Sequence, residues 1–430
     1  MAGTSILPEI ETLGSLSTHF LQLELPTYSR ATLDGALAGG PNSRPAEILG
    51  HELCHWFDIA GTVWGQDYLD VVFAAFDAAT SARDISAFPA CLDLFDLDRS
   101  ILFPEYYKIV STLAQPRAGP GHWEMGLSTG VRIRPDGRGD EESPILFVRF
   151  SDDGTHVARQ PVTVGSLLEL RALFAELTTF QALLIARPEE EQQVSRALFA
   201  RKLRATFYDP KLTTYTVAAH LLNNATHDPD IVLTMQVGTL LSHIALNLTA
   251  AHFQGLRNAL RLGLPPERAE SFRAKRDYGW AYANLCYFMP ELANTSDANQ
   301  APEELLQLAG LPSMATIAAD AAQAMGCNRV KSLQSADLRR MRRNLQDAGM
   351  HILAKGRRSG GTFGPEAWRS LPTPQILVAD QLEPFTVGNP PLSASDIEFL
   401  YDCDERVRQQ TRQALRAGRG MDFGSTDFVY

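Results

Sequence analysis

The sequence predicts an α+β fold that is predominantly α-helical, with a small β-sheet built on a hairpin. Apolar residues recur at helical spacing through 48–82, 166–261 and 266–289. A single stretch, Ile145 to Val164 ("ILFVRFSDDGTHVARQPVTV"), places two extended runs around Asp153-Gly154, a strong hairpin signal. With 45% hydrophobic and 21% charged residues in 430, the chain has a globular composition and can bury a sizeable core.

In chain order, residues 1–43 mix short apolar pieces with turn formers and end in "LAGGPNSRP", a loop that opens a helix. Pro45 suits its first turn and Asn42 or Ser43 can cap it. Ile48, Leu53, Trp56 and Ile59 form its apolar stripe, and Gly61 stops it. A second helix follows from about Trp64 to Ala82, with Leu69, Val72, Phe73 and Phe76 on one face. The hairpin leads into a helix at Ser166–Ile185 that is apolar on nearly every side, and helices continue through the middle of the chain. After a polar loop, "NTSDANQAPEE", come an Ala-rich helix, a basic run "LRRMRRN" and a Gly-containing loop "AKGRRSGGTFG" expected to be mobile. One strand, "PQILVAD", and a helix opened by a capping box at Ser395-x-x-Glu398 complete the chain. This divides the protein into residues 1–290, which hold the candidate site, and a helical region 291–430 with one strand, standing apart or packed on the first as a single unit.

A net charge of −11 argues against nucleic acid or an anionic membrane as partner, because a phosphate surface needs a positive face to release its counterions. The start lacks the pattern of a signal peptide, and no stretch reaches the ~18 apolar residues of a membrane span. The 5 cysteines are scattered without a CxxC pair. A reducing cytoplasm is the expected location, with export lacking a cleaved signal as the alternative. Nucleotide-binding glycine loops and a GxSxG elbow are absent from the sequence.

The candidate chemistry lies in "ILGHELCHWFDIAGTVWG", Ile48 to Gly65. On a helix, residues four apart lie one above the other, so His51 and His55 can present imidazoles to one cation while Glu52, about 100° around, borders the same place. Two neutral imidazoles and a carboxylate leave zinc an open position for water, and the glutamate of the motif takes that water's proton.

These residues resemble the zincin metallopeptidases, whose metal-binding histidines and general-base glutamate match His51, His55 and Glu52. The longer stretch "HELCHWFDIAGTVWG" is also similar to uncharacterised bacterial HExxH proteins with an aromatic after the second histidine and a G-T-x-x-G beyond it. The resemblance implies a zincin-like helical core. It departs from the best-known subfamilies: the long HExxHxxGxxH form needs a glycine and a third histidine where Asp58 and Gly61 stand, and the thermolysin-like form needs a later glutamate where only Asp77 is near.

The third ligand is therefore expected from elsewhere, and Glu169 is the choice. A carboxylate inside an almost wholly apolar helix must be paired or bound to a cation. Glu169-x-x-Ala172 also resembles a second-helix pattern of several zincin relatives. The bland alternatives are a helix-start role for Glu169 and an Arg or Lys partner for Glu176, which shares its stripe. Glu105, Asp67, Asp70 and Asp77 compete as third ligand, and Asp58 and Glu47 suit support of the histidines. Tyr278, Tyr282 and His243 are open candidates for stabilising an oxyanion. His220, His227 and His252 carry no ligand spacing, and the basic runs read as solvated surface before they read as a grip on an acidic substrate.

The expected activity is hydrolysis of a protein or peptide bond by a zinc-dependent enzyme with Glu52 as general base. The same His/His/carboxylate set on Fe2+ would suit a non-haem oxygenase acting on a peptide or small molecule. A helical interaction protein without metal is the third reading. Oligomeric state is left open by the sequence.

Overall fold

A computed structural model describes residues 13–81, 88–112, 123–133, 138–227, 230–292, 301–327, 332–356 and 360–418. The chain opens with strands β1 (Ser15–Leu16) and β2 (Gln22–Leu25), followed by helices α1 (Arg30–Leu37), α2 (Arg44–Gly61), α3 (Val63–Ser81) and α4 (Phe88–Tyr107). Strands β3 (Ile109–Val110), β4 (Glu124–Ile133), β5 (Gly139–Asp152) and β6 (Thr155–Pro161) come next. Helices α5 (Val164–Leu184), α6 (Glu189–Phe207), α7 (Thr213–Thr226), α8 (Ile231–Leu246), α9 (Ala250–Gly255), α10 (Pro266–Ala274) and α11 (Tyr278–Phe288) make up the middle. The remainder is α12 (Ala301–Leu308), α13 (Met314–Gly326), α14 (Ala336–Gly356), α15 (Pro365–Trp368), β7 (Gln375–Val378) and α16 (Ala394–Gly418). Helices dominate and the strands form small sheets, so the fold is α+β with a predominance of α.

The expected hairpin is β5–β6. Asp153 and Gly154 both have positive φ, 48° and 75°, the left-handed pair that a two-residue turn needs to follow the twist of its strands. The sheet runs β3-β6-β5-β4, antiparallel throughout. β5 is paired on both sides, and β4 takes the outer position.

The second sheet joins distant parts of the chain. β2 pairs antiparallel with β1 and parallel with β7, Leu23 opposite Ile376. Residues of the 291–430 region thus complete a sheet begun before residue 30, and one apolar core runs from Leu16 through Trp56, Leu168 and Leu345 to Val407. The basic run lies in α14 and serves this packing: Arg342, 2% exposed, bonds Asp70 and the Gln66 side chain and backbone, and Arg340 pairs with Asp396. Residues 357–359 of the following loop, and 293–300 of the earlier polar one, lie outside the described residues. At the start of α16 the capping box is displaced from its expected place. Ser393 Oγ accepts from the Asp396 N–H and the Asp396 carboxylate accepts from the Ser393 N–H, so the cap lies two residues before Ser395.

The break between α2 and α3 follows from Gly61-Thr62-x-x-Gly65. Thr62 Oγ1 donates to the Asp58 carbonyl, closing α2, and accepts from the Gly65 N–H, capping α3. A Cβ on Gly65 would lie 2.1 Å from the Ile59 carbonyl oxygen, so only glycine lets the second helix leave at this angle. Among the described residues, no single helix is long and apolar enough to cross a membrane.

Candidate metal centre

The sequence suggests an amphipathic α2, but the structure buries it on all sides, from Pro45 to Gly61. Each ionisable side chain on it must therefore find a partner inside the protein. Glu47 accepts from Ser43 Oγ at 2.7 Å and from Arg44. Asp58 receives both Nε bonds of Arg171, at 2.9 and 3.0 Å. Neither touches a histidine, so the expected support role falls elsewhere. Glu52 accepts a backbone bond from Leu16 of β1. His51 Nδ1 lies 2.9 Å from Glu176 Oε1, and Glu176 Oε2 takes Arg44 at 2.5 Å. His55, 1% exposed, has a buried Nδ1 with no hydrogen-bond partner.

Helix α5 supplies the facing wall. Gly50, beside His51, admits it closely: a Cβ there would sit 2.4 Å from Thr179 Oγ1. Glu169, 1% exposed, lies with Oε2 3.5 Å from His51 Nε2 and Oε1 3.8 Å from His55 Nε2. It is not the helix cap, which Thr163 and Ser166 form. The ligand atoms of His51, His55 and Glu169 all lie within 4.8 Å of one another, close enough to hold a metal ion. Ligands at 2.0–2.2 Å from a tetrahedral cation stand roughly 3.4 Å apart, whereas a hydrogen-bonded pair closes to about 2.8 Å. Glu169 Oε2 is also buried without a hydrogen-bond partner. The donor set fits a cation, and the buried Glu169 Oε2 is an atom that a cation would satisfy.

Glu176 orders this set. As an acceptor-only carboxylate it accepts from His51 Nδ1. Without a cation, burial opposes the charge on His51, but the Glu169 and Glu176 carboxylates outweigh it and raise the ring well above the usual histidine value. With a cation, the same hydrogen bond would leave Nε2 free as a ligand. Burial alone would raise Glu176, but the His51 hydrogen bond, the His51 charge and Arg44 outweigh it and hold the carboxyl down at about 2. Burial pushes Glu52 up to about 7. Glu169 and Glu176 add to the rise, while His51 and the Leu16 N–H oppose it. Such a carboxyl can take and release a proton near neutral pH.

The competitors for the third position are committed elsewhere. Asp67 pairs with Arg276, Asp70 with Arg342, and Asp77 accepts the N–H groups of Gln334 and Ser335. Glu105 lies in α4, and its side chain falls outside the described residues. Of the three oxyanion candidates, Tyr282 donates to the Ala218 carbonyl in the core, and Tyr278 lines a separate cavity of about 380 Å³ with Trp64 and Arg276. Burial and the Arg171 charge hold His243 down to about 3, beside the Gly361 turn.

Three side chains at the site escaped sequence reasoning. Arg44, two helical turns before His51, braces Glu176; its spacing on the histidine stripe is the signal that could have found it. Arg171, fully buried, fixes α5 to Asp58 on α2, to the Thr239 carbonyl of α8 and to the carbonyls of Gly360 and Gly361. Its signal was the same as for Glu169, a charge in an apolar helix. Tyr215 of α7 stands with its ring centroid 6.5 Å from that of His51, and nothing in its sequence context marks it. In comparisons with known proteins, no family model, curated protein or solved structure matches the chain.

Proposed function

We propose that the protein is a zinc-dependent hydrolase, a metallopeptidase that cleaves a protein or peptide bond at the centre formed by His51, His55 and Glu169. The observation that carries the reading is the convergence of His51, His55 and Glu169, with Glu169 oxygens 3.5 and 3.8 Å from the two Nε2 atoms and Glu52 beside them in the HExxH motif. Two imidazoles and one carboxylate are a common donor set for catalytic zinc. When bound, zinc supplies Lewis acidity, acidifying water and polarising a carbonyl.

The chain's own residues carry the remaining steps. His51 and His55 would hold the cation through Nε2, and Glu176 would keep His51 in the required tautomer. Glu52 would take a proton from the attacking water and return it to the leaving amine, the role of the motif's glutamate. Burial of His55 and Glu169, each 1% exposed, excludes bulk water from the ligand shell and strengthens these interactions.

The test is Glu52→Gln on zinc-loaded protein with a mixed peptide library as substrate. Zinc content should stay at the wild-type level while hydrolysis falls by about 10²–10⁴-fold, the usual cost of losing a general base. Hydrolysis at the wild-type rate would refute Glu52 as base and the peptidase mechanism with it.

A further inference from the structure

Helix α6 is built unlike the other long helices. Of its residues Glu189–Phe207 only Phe207 is buried. Its inner line, Gln192, Ser195, Phe199, Leu203 and Thr206, is partly covered, with Phe199 stacked on Phe180 at 4.4 Å. The opposite line of a solvated helix should be charged. Here that line carries Val194, 61% exposed, Leu198, 53% exposed, and the exposed Ala197 and Ala205, interrupted by Arg201. Its ends are of opposite sign: Glu189, Glu190 and Glu191 open it, and Arg201, Lys202 and Arg204 close it, all exposed.

We propose that α6 is a homodimerisation surface on which a second copy of this chain lays its own α6 antiparallel. A two-fold axis between Ala197 and Leu198 brings those residues of both copies together. It sets Glu191 of one copy opposite Arg204 of the other, and Val194 opposite Arg201, whose aliphatic stem covers it. A parallel arrangement would stack acid on acid and base on base. The apolar line is short, so the pair belongs at the weak end of specific interfaces. None of the residues of the metal centre lies on α6, and the proposal does not rest on the function proposed above.

Charged ends of this sign also favour a lone helix through its dipole, so the experiment must separate pairing from helix stability. Two variants are made, one with Glu189, Glu190 and Glu191 changed to Arg and one with Arg201, Lys202 and Arg204 changed to Glu. Circular dichroism reports their folding, and sedimentation across a hundredfold concentration range reports association. The wild type should show a reversible monomer–dimer equilibrium and each variant should be monomeric. An equimolar mixture of the two should form a heterodimer, because every end contact is then between opposite charges. Leu198→Glu, a single surface change, should also give a monomer and stands in if a triple variant fails to fold. A wild type that stays monomeric throughout, including one that instead binds vesicles, would overturn the proposal. So would a dimer that survives Leu198→Glu, or variants that fail to associate on mixing.

Discussion

His19 should act as a buried cation that binds the two ends of the chain together, and its removal should cost stability in a pH-dependent way. The ring lies 6% exposed between Asp98 of α4, 3.1 Å from Nε2, and Asp404 of α16, 2.8 Å from Nδ1. Tyr68 of α3 donates to the same Asp98, Arg408 pairs with Asp404, and Phe76 packs edge-on against the ring. Burial opposes the charge, but the two carboxylates outweigh it and lift His19 from 6.5 to about 10. A raised histidine stabilises the fold fully below its unfolded value and loses this as pH rises through the folded one. At about 1.4 kcal/mol per unit, the contribution is roughly 5 kcal/mol below pH ~6, ~3 at pH 8 and under ~0.5 at pH 10. Chemical denaturation of wild type and His19→Gln at pH 6, 8 and 10 reads it directly. The gap in unfolding free energy should narrow by several kcal/mol across that range. A gap that stays constant would refute the charged state of His19 and leave only a packing role.

Arg171→Met should destabilise by about 3–5 kcal/mol, the cost of leaving one member of a buried pair unpaired. The loss should be smaller when Asp58→Asn is added, which denaturation of the double variant checks. Glu176→Leu should weaken zinc binding by roughly 10–100-fold in chelator competition without unfolding the protein, because His51 loses the acceptor that fixes its tautomer. An unchanged affinity would show that the His51 tautomer is set by another group.

The parts of the fold that were legible in the sequence are those governed by local chemistry. The α2 helix from Arg44, its end at Gly61 and the β5–β6 turn at Asp153-Gly154 follow from caps, glycines and spacing. The placement of Glu169 beside the histidines was legible because a carboxylate in a mostly apolar helix demands a partner, although the sequence could not say which helix it faced. What stayed hidden depends on long-range pairing. β2 meets β7 across most of the chain, and no local signal encodes that register. The same holds for Arg44 reaching Glu176 and for Tyr215 approaching His51. The displaced cap at Ser393 shows a local rule resolved by competition, since Ser393-x-x-Asp396 and Ser395-x-x-Glu398 offer the same motif.

The most direct test of the metal centre is elemental analysis by mass spectrometry of protein purified without added metal, wild type beside His51→Ala, His55→Ala and Glu169→Ala. One zinc per wild-type chain is expected, falling to background in each variant, together with a loss of thermal stability that chelation of the wild type reproduces. Stoichiometric metal retained in all three variants, or a wild type that takes up no divalent ion even when zinc is supplied, would contradict the assignment of His51, His55 and Glu169 as its ligands.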